Sequence, residues 1–474
     1  MHGTQTQPAE QKVLDHLAAD APAALKRLHE FLAIPSVSAD PQYKEGVQRA
    51  AAWVAGQLTE LGLSADICAT AGHPVVLART QDKDLLDPGQ AHTRVLFYGH
   101  YDVQPADPLE LWTTPPFEPT VRDGAIYARG ASDDKGQVAC FLEALRAWRK
   151  VHGAFPGHVT VLIEGEEEIG GVNLGAFIRS HQAQLHADVA LVSDTALWES
   201  AGPAEPKPAI TYGLRGLQYF DVQLHGAKRD LHSGIYGGSV PNPAIILTQV
   251  LGQLFDGQHR ITIPGFYDSV QAPSDAERRQ WDDLGFDELA YLREIGLTQA
   301  YGERGYPTLE RRWSRPSCDF NGLYGGYGGP GAKTVLPSFA GAKVSFRLVP
   351  NQSAHAVAAA FEAWLRSWDV HGCTWKITDL GGSDPVLVST DSPHLAAAGR
   401  AIAHAAGQAP VLVRDGASIP VIGDFKRTLG LDSLLVGFGR SNDHIHAPNE
   451  KFDLACFGLG CRTHALLLRE LAGV

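Results

Sequence analysis

The stretch "HVTVLIEGEEEIGG", residues 158–171, runs apolar from its start and then stops in Glu164, Gly165, Glu166, Glu167 and Glu168. The first half reads as a strand. The second half poses an electrostatic problem, because like charges a few ångströms apart repel and raise one another's pKa. No Lys or Arg stands nearby in the sequence to neutralise them. A bound metal ion would.

Around this stretch, strands and helices alternate. "RVLFYGH" (94–100) and "ADVALVSD" (187–194) read as further apolar strands, with "DKGQVACFLEALRAWRK" (134–150) and "VNLGAFIRSHQAQL" (172–185) as helices between them. Such alternation implies a largely parallel sheet. Upstream, "EQKVLDHLAADAPAALKRLHEFLAI" (10–34) has apolar residues at helical spacing and is stopped by Pro35. From residue 213 the character changes to alternating strands ("LQYFDVQLHG", "AGAKVSFRLVP", "CTWKITDLGG") and two helices ("PNPAIILTQVLGQLF", "HAVAAAFEAWLRSW"). That pattern suits a small α+β unit inserted into the first domain. Residues 256–316 are charged and irregular, with a helix expected over 275–296. The α/β rhythm returns at "SPHLAAAGRAIAHAAG", with "DSLLVGFG" a last strand and "FDLACFGLGCRTHALLLRELA" a closing helix. The expected fold is therefore α/β, a mostly parallel central sheet flanked by helices. Its domains are 1–212 and 389–474 together, interrupted by 213–388.

Composition narrows the function. The 474 residues favour two domains over a single core. Hydrophobic residues at 44%, charged residues at 20% and a net charge of -13 argue against a nucleic-acid or anionic-membrane surface, which needs clustered Lys and Arg. No apolar run is long enough to span a bilayer and the start lacks a secretory layout, so a cytoplasmic protein is expected. Cys68, Cys140, Cys318, Cys373, Cys456 and Cys461 contain no CxxC pair, and core thiols are the expectation. "GLYGGYGGPGAKT" resembles a phosphate loop only superficially, since Ala332 separates Gly331 from Lys333, and no GxSxG element supports a serine hydrolase.

In an open α/β sheet, ligands bind beyond the carboxyl ends of the strands. Those ends offer His100 with Asp102, Asp133 with Asp134, Glu166 to Glu168, Asp194 and His446. Each fragment alone has a plainer reading. His100 and Asp102 could decorate a loop mouth, and either Asp of "GASDDKG" could cap the helix that follows. In a metal site, one of that Asp pair would cap and the other bridge two cations. Asp102 would then take the second N–H of His100, fixing its tautomer. Consecutive glutamates between Gly165 and Gly170 suit a tight loop in which one ligates a metal and its neighbour takes a proton from water.

Together, "GHYDVQP", "YARGASDDKG", "EGEEEIGG", "VSD", "DLHSGIYGG" and "DHIHAPNEK" resemble the two-metal aminoacylase and carboxypeptidase G superfamily of metallopeptidases, above all its cytosolic non-specific dipeptidase and carnosinase branch. The likeness runs from "FLAIPSVS" to "NEKFDL". It implies that His100, Asp133 and Asp194 hold one divalent ion and His446, Asp133 and Glu168 another, with Asp133 bridging. Zinc is the expected ion and manganese the alternative. The resemblance makes Glu167 the general base and Asp102 the orienter of His100. It also implies a homodimer in which His232 reaches the neighbouring subunit's site to stabilise an oxyanion. Arg347 and Thr334 match positions that hold a substrate carboxylate, and Ser418 and His394 look like further substrate contacts. The acidic run departs from the family pattern by one extra residue, and anchoring on Gly165 and Gly170 sets the pair as Glu167 and Glu168.

The implied reaction is hydrolysis of dipeptides or very short peptides with a free C-terminal carboxylate. Two rivals stand beside it: a deacylase of N-acyl amino acids, which uses the same chemistry, and a non-catalytic relative. The second should have lost a ligand or the base, and none is missing.

Overall fold

The structure, a computed structural model, describes residues 8–90, 92–200 and 205–473. The chain opens with α1 (Pro8–Leu32), ending ahead of Pro35, and α2 (Lys44–Glu60). Strands β1 (Ser64–Cys68) and β2 (Val75–Arg79) pair antiparallel, and β3 (Arg94–His100) follows. Then come α3 (Lys135–His152), β4 (His158–Glu164), α4 (Leu174–Ser180), β5 (Val189–Val192) and β6 (Ala209–Leu214). The middle of the chain contributes β7 (Gly216–His225), α5 (Pro243–Leu251), α6 (Asp275–Asp282), α7 (Glu288–Glu294), β8 (Ser317–Gly325), β9 (Phe339–Leu348), α8 (Ala354–Arg366) and β10 (Thr374–Ser383). It finishes with α9 (Pro393–Ala406), β11 (Ser433–Leu435) and α10 (Leu454–Ala472).

Two compact units result. The first comprises Met1–Tyr212, Val388–Val413 and Asp424–Val474, and the second Gly213–Leu387 with Arg414–Gly423. The second unit thus takes in a short segment, 414–423, that the sequence pattern places with the first.

In the first unit the strands lie in the order β1-β2-β4-β3-β5-β11-β6. The central pairs β4–β3, β3–β5 and β5–β11 are parallel, while β1, β2 and β6 run antiparallel to their neighbours. Six of the seven residues of β3 are buried, as expected of a strand covered on both faces. Helix α3 is buried along most of its length and ends at Gly153, whose φ of 68° permits the left-handed turn that returns its N–H to Arg149 O. At its other end the fully buried Lys135 donates to Phe31 O (3.3 Å) and Ile34 O (2.7 Å), serving carbonyls where α1 runs out. The core is one cluster built from α1, α2, α3, α10 and the strands.

The second unit, taken by itself, is an antiparallel sheet in the order β8-β9-β7-β10. Alternate residues of β7 are buried, and Phe220, Val222 and Leu224 join Val344, Phe346 and the helical residues Ile246, Leu247 and Phe361 in its core.

Two helices differ from the sequence reading for local reasons. The helix expected over 275–296 is two, because Gly285 turns with φ 69° and the Asp287 side chain accepts from Ala290 N to start α7 afresh. The helix expected over 172–185 stops at Ser180, whose hydroxyl donates to Phe177 O at 2.9 Å. Five cysteines are buried and Cys68 is half-buried, and all six are free. Among the described residues no helix is long and apolar enough to cross a membrane.

Phe97 of β3 stacks on Phe141 of α3 with ring centroids 3.7 Å apart, and both are fully buried. Phe97→Ala should therefore cost about 3–5 kcal/mol of the first unit's stability, read as a lower urea midpoint. A change below about 1 kcal/mol would show that this ring pair is not central to the core.

Candidate metal centre

The parallel strands β4, β3, β5 and β11 end on one edge of the sheet, and that edge delivers the chemistry. His100 is the last residue of β3, fully buried. Asp194 lies two residues past β5, Glu168 in the turn after β4, Asp133 just ahead of α3, and His446 in the loop after β11. His446 takes φ 61°, a left-handed conformation that costs a non-glycine residue energy and is found where surrounding structure enforces it.

Asp133 is the hub. Its Oδ1 lies 3.0 Å from His100 Nε2 and its Oδ2 3.0 Å from His446 Nε2. Asp194 Oδ2 sits 3.9 Å from His100 Nε2, and Glu168 Oε2 3.2 Å from His446 Nε2. Two triplets result, His100–Asp133–Asp194 and Asp133–Glu168–His446, each with its ligand atoms within 4.8 Å of one another. These are the two sets the sequence resemblance implies, gathered around a shared carboxylate.

The donors fit divalent cations. They are imidazole nitrogens and carboxylate oxygens, the ligand types of zinc and manganese. Among the described residues no Lys or Arg forms an ion pair with Asp133, Glu167, Glu168 or Asp194. Their negative charge is uncompensated except by the two imidazoles. Burial would raise Asp133, but hydrogen bonds from His100 and His446 outweigh it and hold it well below the usual carboxylate range. For Asp194, burial and then the charge of Asp133 outweigh the pull of His100 and His446 and push it up to about 7.

The three glutamates after Gly165 divide their tasks. Glu166 turns away and accepts from His73 N (2.9 Å) and Asn173 Nδ2 (2.8 Å). Gly72 makes room for it, since a Cβ there would lie 1.8 Å from Glu166 Oε1. Glu168 is held by Gln104, whose backbone N and side-chain Nε2 donate at 3.1 and 2.8 Å. Burial raises the Glu167 carboxyl well above its ordinary value, opposed by His100 and reinforced by Asp194, Asp133 and Glu168.

Asp102 does more than its neighbour requires. His100 Nδ1 donates to the Asp102 backbone carbonyl at 3.1 Å, with the carboxylate Oδ1 at 3.4 Å. The carboxylate itself accepts from Glu167 N (3.3 Å) and Glu168 N (3.1 Å), and so fixes the turn that carries both glutamates. Asp134 occupies the N-cap position of α3 without making the expected capping bond; its Oδ2 is drawn across to His100 N at 3.1 Å.

The other residues singled out from sequence lie elsewhere. In the second unit His232 is exposed, accepts from Gly234 N at 3.0 Å and pairs in register with Val335, beside Thr334. In the same unit Arg347 Nη1 donates to Ser418 Oγ at 3.0 Å, and that hydroxyl donates to Arg215 O at 2.5 Å. His394 does not join the cluster. It is half-buried on α9 and feels Asp188 and Asp432, which precede β5 and β11 at the amino ends of the strands. Sequence reasoning missed Gln104, Asp443 and Glu450, whose roles depend on partners remote in the chain, although "GHYDVQP" contains the first and "DHIHAPNEK" the other two.

A shared carboxylate flanked by two imidazole–carboxylate sets, on the carboxyl edge of a parallel sheet, is an arrangement that could hold two divalent cations. Residues 96–470 match the Peptidase family M20/M25/M40, and the chain belongs to that family. It is 33% identical to the Cys-Gly metallodipeptidase dug1 of Schizosaccharomyces pombe over 94% of this chain and 95% of that one. It is 31% identical to the Beta-Ala-His dipeptidase of Homo sapiens, over 98% and 92%. Among solved structures, an M20 family metallo-carboxypeptidase from Sulfolobus solfataricus superposes with a TM-score of 0.84 at 32% identity, covering 95% of this chain and 99% of that one.

Ion uptake should be linked to protons. Hydrogen bonds to Asp133 and Glu168 push His446 up to about 10 from 6.5 when no ion is bound. A raised value means that the folded chain holds the extra proton, so the stabilisation from His446 is complete below about pH 6.5 and lost as pH rises through about 10. Asp194 acts in the same sense as pH rises through about 7. Ligation requires both groups deprotonated, so ions must displace protons at neutral pH and bind more tightly as pH rises. Calorimetry of the chelator-stripped protein in buffers of different ionisation heat should report that release; uptake without protons would contradict it.

Proposed function

We propose that the chain is a metal-dependent dipeptidase, hydrolysing dipeptides or very short peptides with a free C-terminal carboxylate. The carrying observation is the division of Asp133 between two imidazole–carboxylate sets with Glu167 beside them. The relatives named as dipeptidases support the substrate class. His100, Asp133 and Asp194 would hold one divalent ion and His446, Asp133 and Glu168 a second, zinc foremost and manganese as the alternative. When bound, the ions supply Lewis acidity, lowering the pKa of water and polarising the scissile carbonyl.

The chain's own residues do the rest. Glu167, with its carboxylate made more basic by burial, takes the proton of the attacking water and delivers it to the leaving amine nitrogen. Asp102 holds the Glu167 backbone at 3.3 Å so that this carboxylate stays aimed. Arg347, with Thr334, recognises the substrate carboxylate, for which a guanidinium fork is suited. Ser418 contributes by holding Arg347 Nη1 at 3.0 Å. His232, exposed on the second unit, stabilises the oxyanion across the interface of a homodimer.

A dipeptide panel should release amino acids, lose activity with chelator and regain it with zinc or manganese. Turnover of N-acyl amino acids alone would favour the deacylase reading instead. Glu167→Gln should lower kcat by about 100- to 10,000-fold with ion content unchanged, whereas Glu166→Gln should keep turnover; the reverse pattern would move the base to Glu166. Mixing inactive Glu167→Gln and His232→Ala proteins should restore about a quarter of wild-type activity through reassorted dimers, and no recovery would refute a site shared between protomers.

A further inference from the structure

The residues that hold Asp133 in place lie more than 300 positions away along the chain. Residues Lys451, Phe452 and Asp453 pair antiparallel with Tyr127, Ile126 and Ala125, and Ala128 N donates to Glu450 O at 3.1 Å. That lacing sets the Glu450 side chain, fully buried, against residues 129–133. Its Oε2 accepts from Arg129 Nη1 (2.6 Å) and Gly130 N (3.0 Å). Its Oε1 accepts from Ser132 N (3.0 Å) and Asp133 N (3.1 Å). Arg129 is itself pinned, donating to Pro105 O at 3.1 Å. A second carboxylate, Asp443, accepts from Ser132 Oγ at 2.8 Å and pairs with Lys451 Nζ at 3.0 Å.

We propose that Glu450 is a positioning residue for the bridging carboxylate: the three of its four accepted hydrogen bonds that come from Gly130, Ser132 and Asp133 N set the 130–133 backbone so that Asp133 presents one oxygen to each imidazole. The proposal rests on the two-ion reading above. Four donors converge where no water competes, and only an anion with two lone pairs on each oxygen accepts all four. A glutamine would turn an NH2 against two of them. Arg129 Nη1 sits 2.6 Å from the carboxylate, between it and any further cation, so Glu450 works through geometry and not by attracting cations. It also lies four residues from His446, so one turn of chain carries the second imidazole and fixes the carboxylate that imidazole shares.

The test is Co2+ titration of chelator-stripped wild type, Glu450→Gln and Glu450→Asp, followed by visible absorption, with thermal midpoints and kcat at rising Co2+. Both variants should bind Co2+ about 10- to 100-fold more weakly, as loss of such support does elsewhere, and recover most of kcat when Co2+ is raised. The Asp variant keeps the charge opposite Arg129 and so guards against a Gln variant that does not fold. Wild-type Co2+ affinity in a folded Asp or Gln variant, even with a lowered thermal midpoint, would reduce Glu450 to a structural residue and overturn the proposal. Failure of the wild-type protein to take up Co2+ would instead overturn the two-ion reading, and this proposal with it.

Discussion

Two imidazoles drawing on the two oxygens of one carboxylate set the terms for everything around Asp133. Each contact is 3.0 Å, and the carboxylate must face opposite ways at once. Such a group cannot ride on a mobile loop. It sits ahead of α3, where the helix's positive end eases the charge, while its imidazole partners come from a buried strand end and from a backbone held in a left-handed turn. The remaining carboxylates are tolerated through backbone amides and Gln104 around the glutamate turn, and the raised value of Asp194 records its burial first and the repulsion of Asp133 second.

How much of this was legible in the sequence follows from distance along the chain. His100, Glu168 and Asp194 were readable because each ends or closely follows an apolar strand, and strand ends in an α/β sheet converge. Asp133 and His446 needed the motifs around them. Asp134 was read as a possible cap, yet its side chain serves His100 N, a partner 34 residues back that no local rule anticipates. Glu450 and the link from Asp443 to Ser132 were illegible for the same reason, since those donors lie on residues 129–133. His394 was singled out by resemblance alone, and its place near Asp188 and Asp432 depends on residues remote in the chain.

The two units divide the candidate chemistry. Every residue of the metal centre belongs to the first, whereas Arg347, Ser418, His232 and Thr334 belong to the second. Ser418 reaches that unit only because residues 414–423 leave the first, where β-α rhythm would have kept them. The candidate ion ligands and the candidate substrate contacts are therefore open to substitution as separate sets.

The discontinuity of the first unit also governs the order in which a working centre can come into being on the ribosome. His100, Asp133, Glu168 and Asp194 are translated early, but His446 follows the whole excursion through 213–387. Until His446 is added, only the His100–Asp133–Asp194 triplet has all its members in the translated chain.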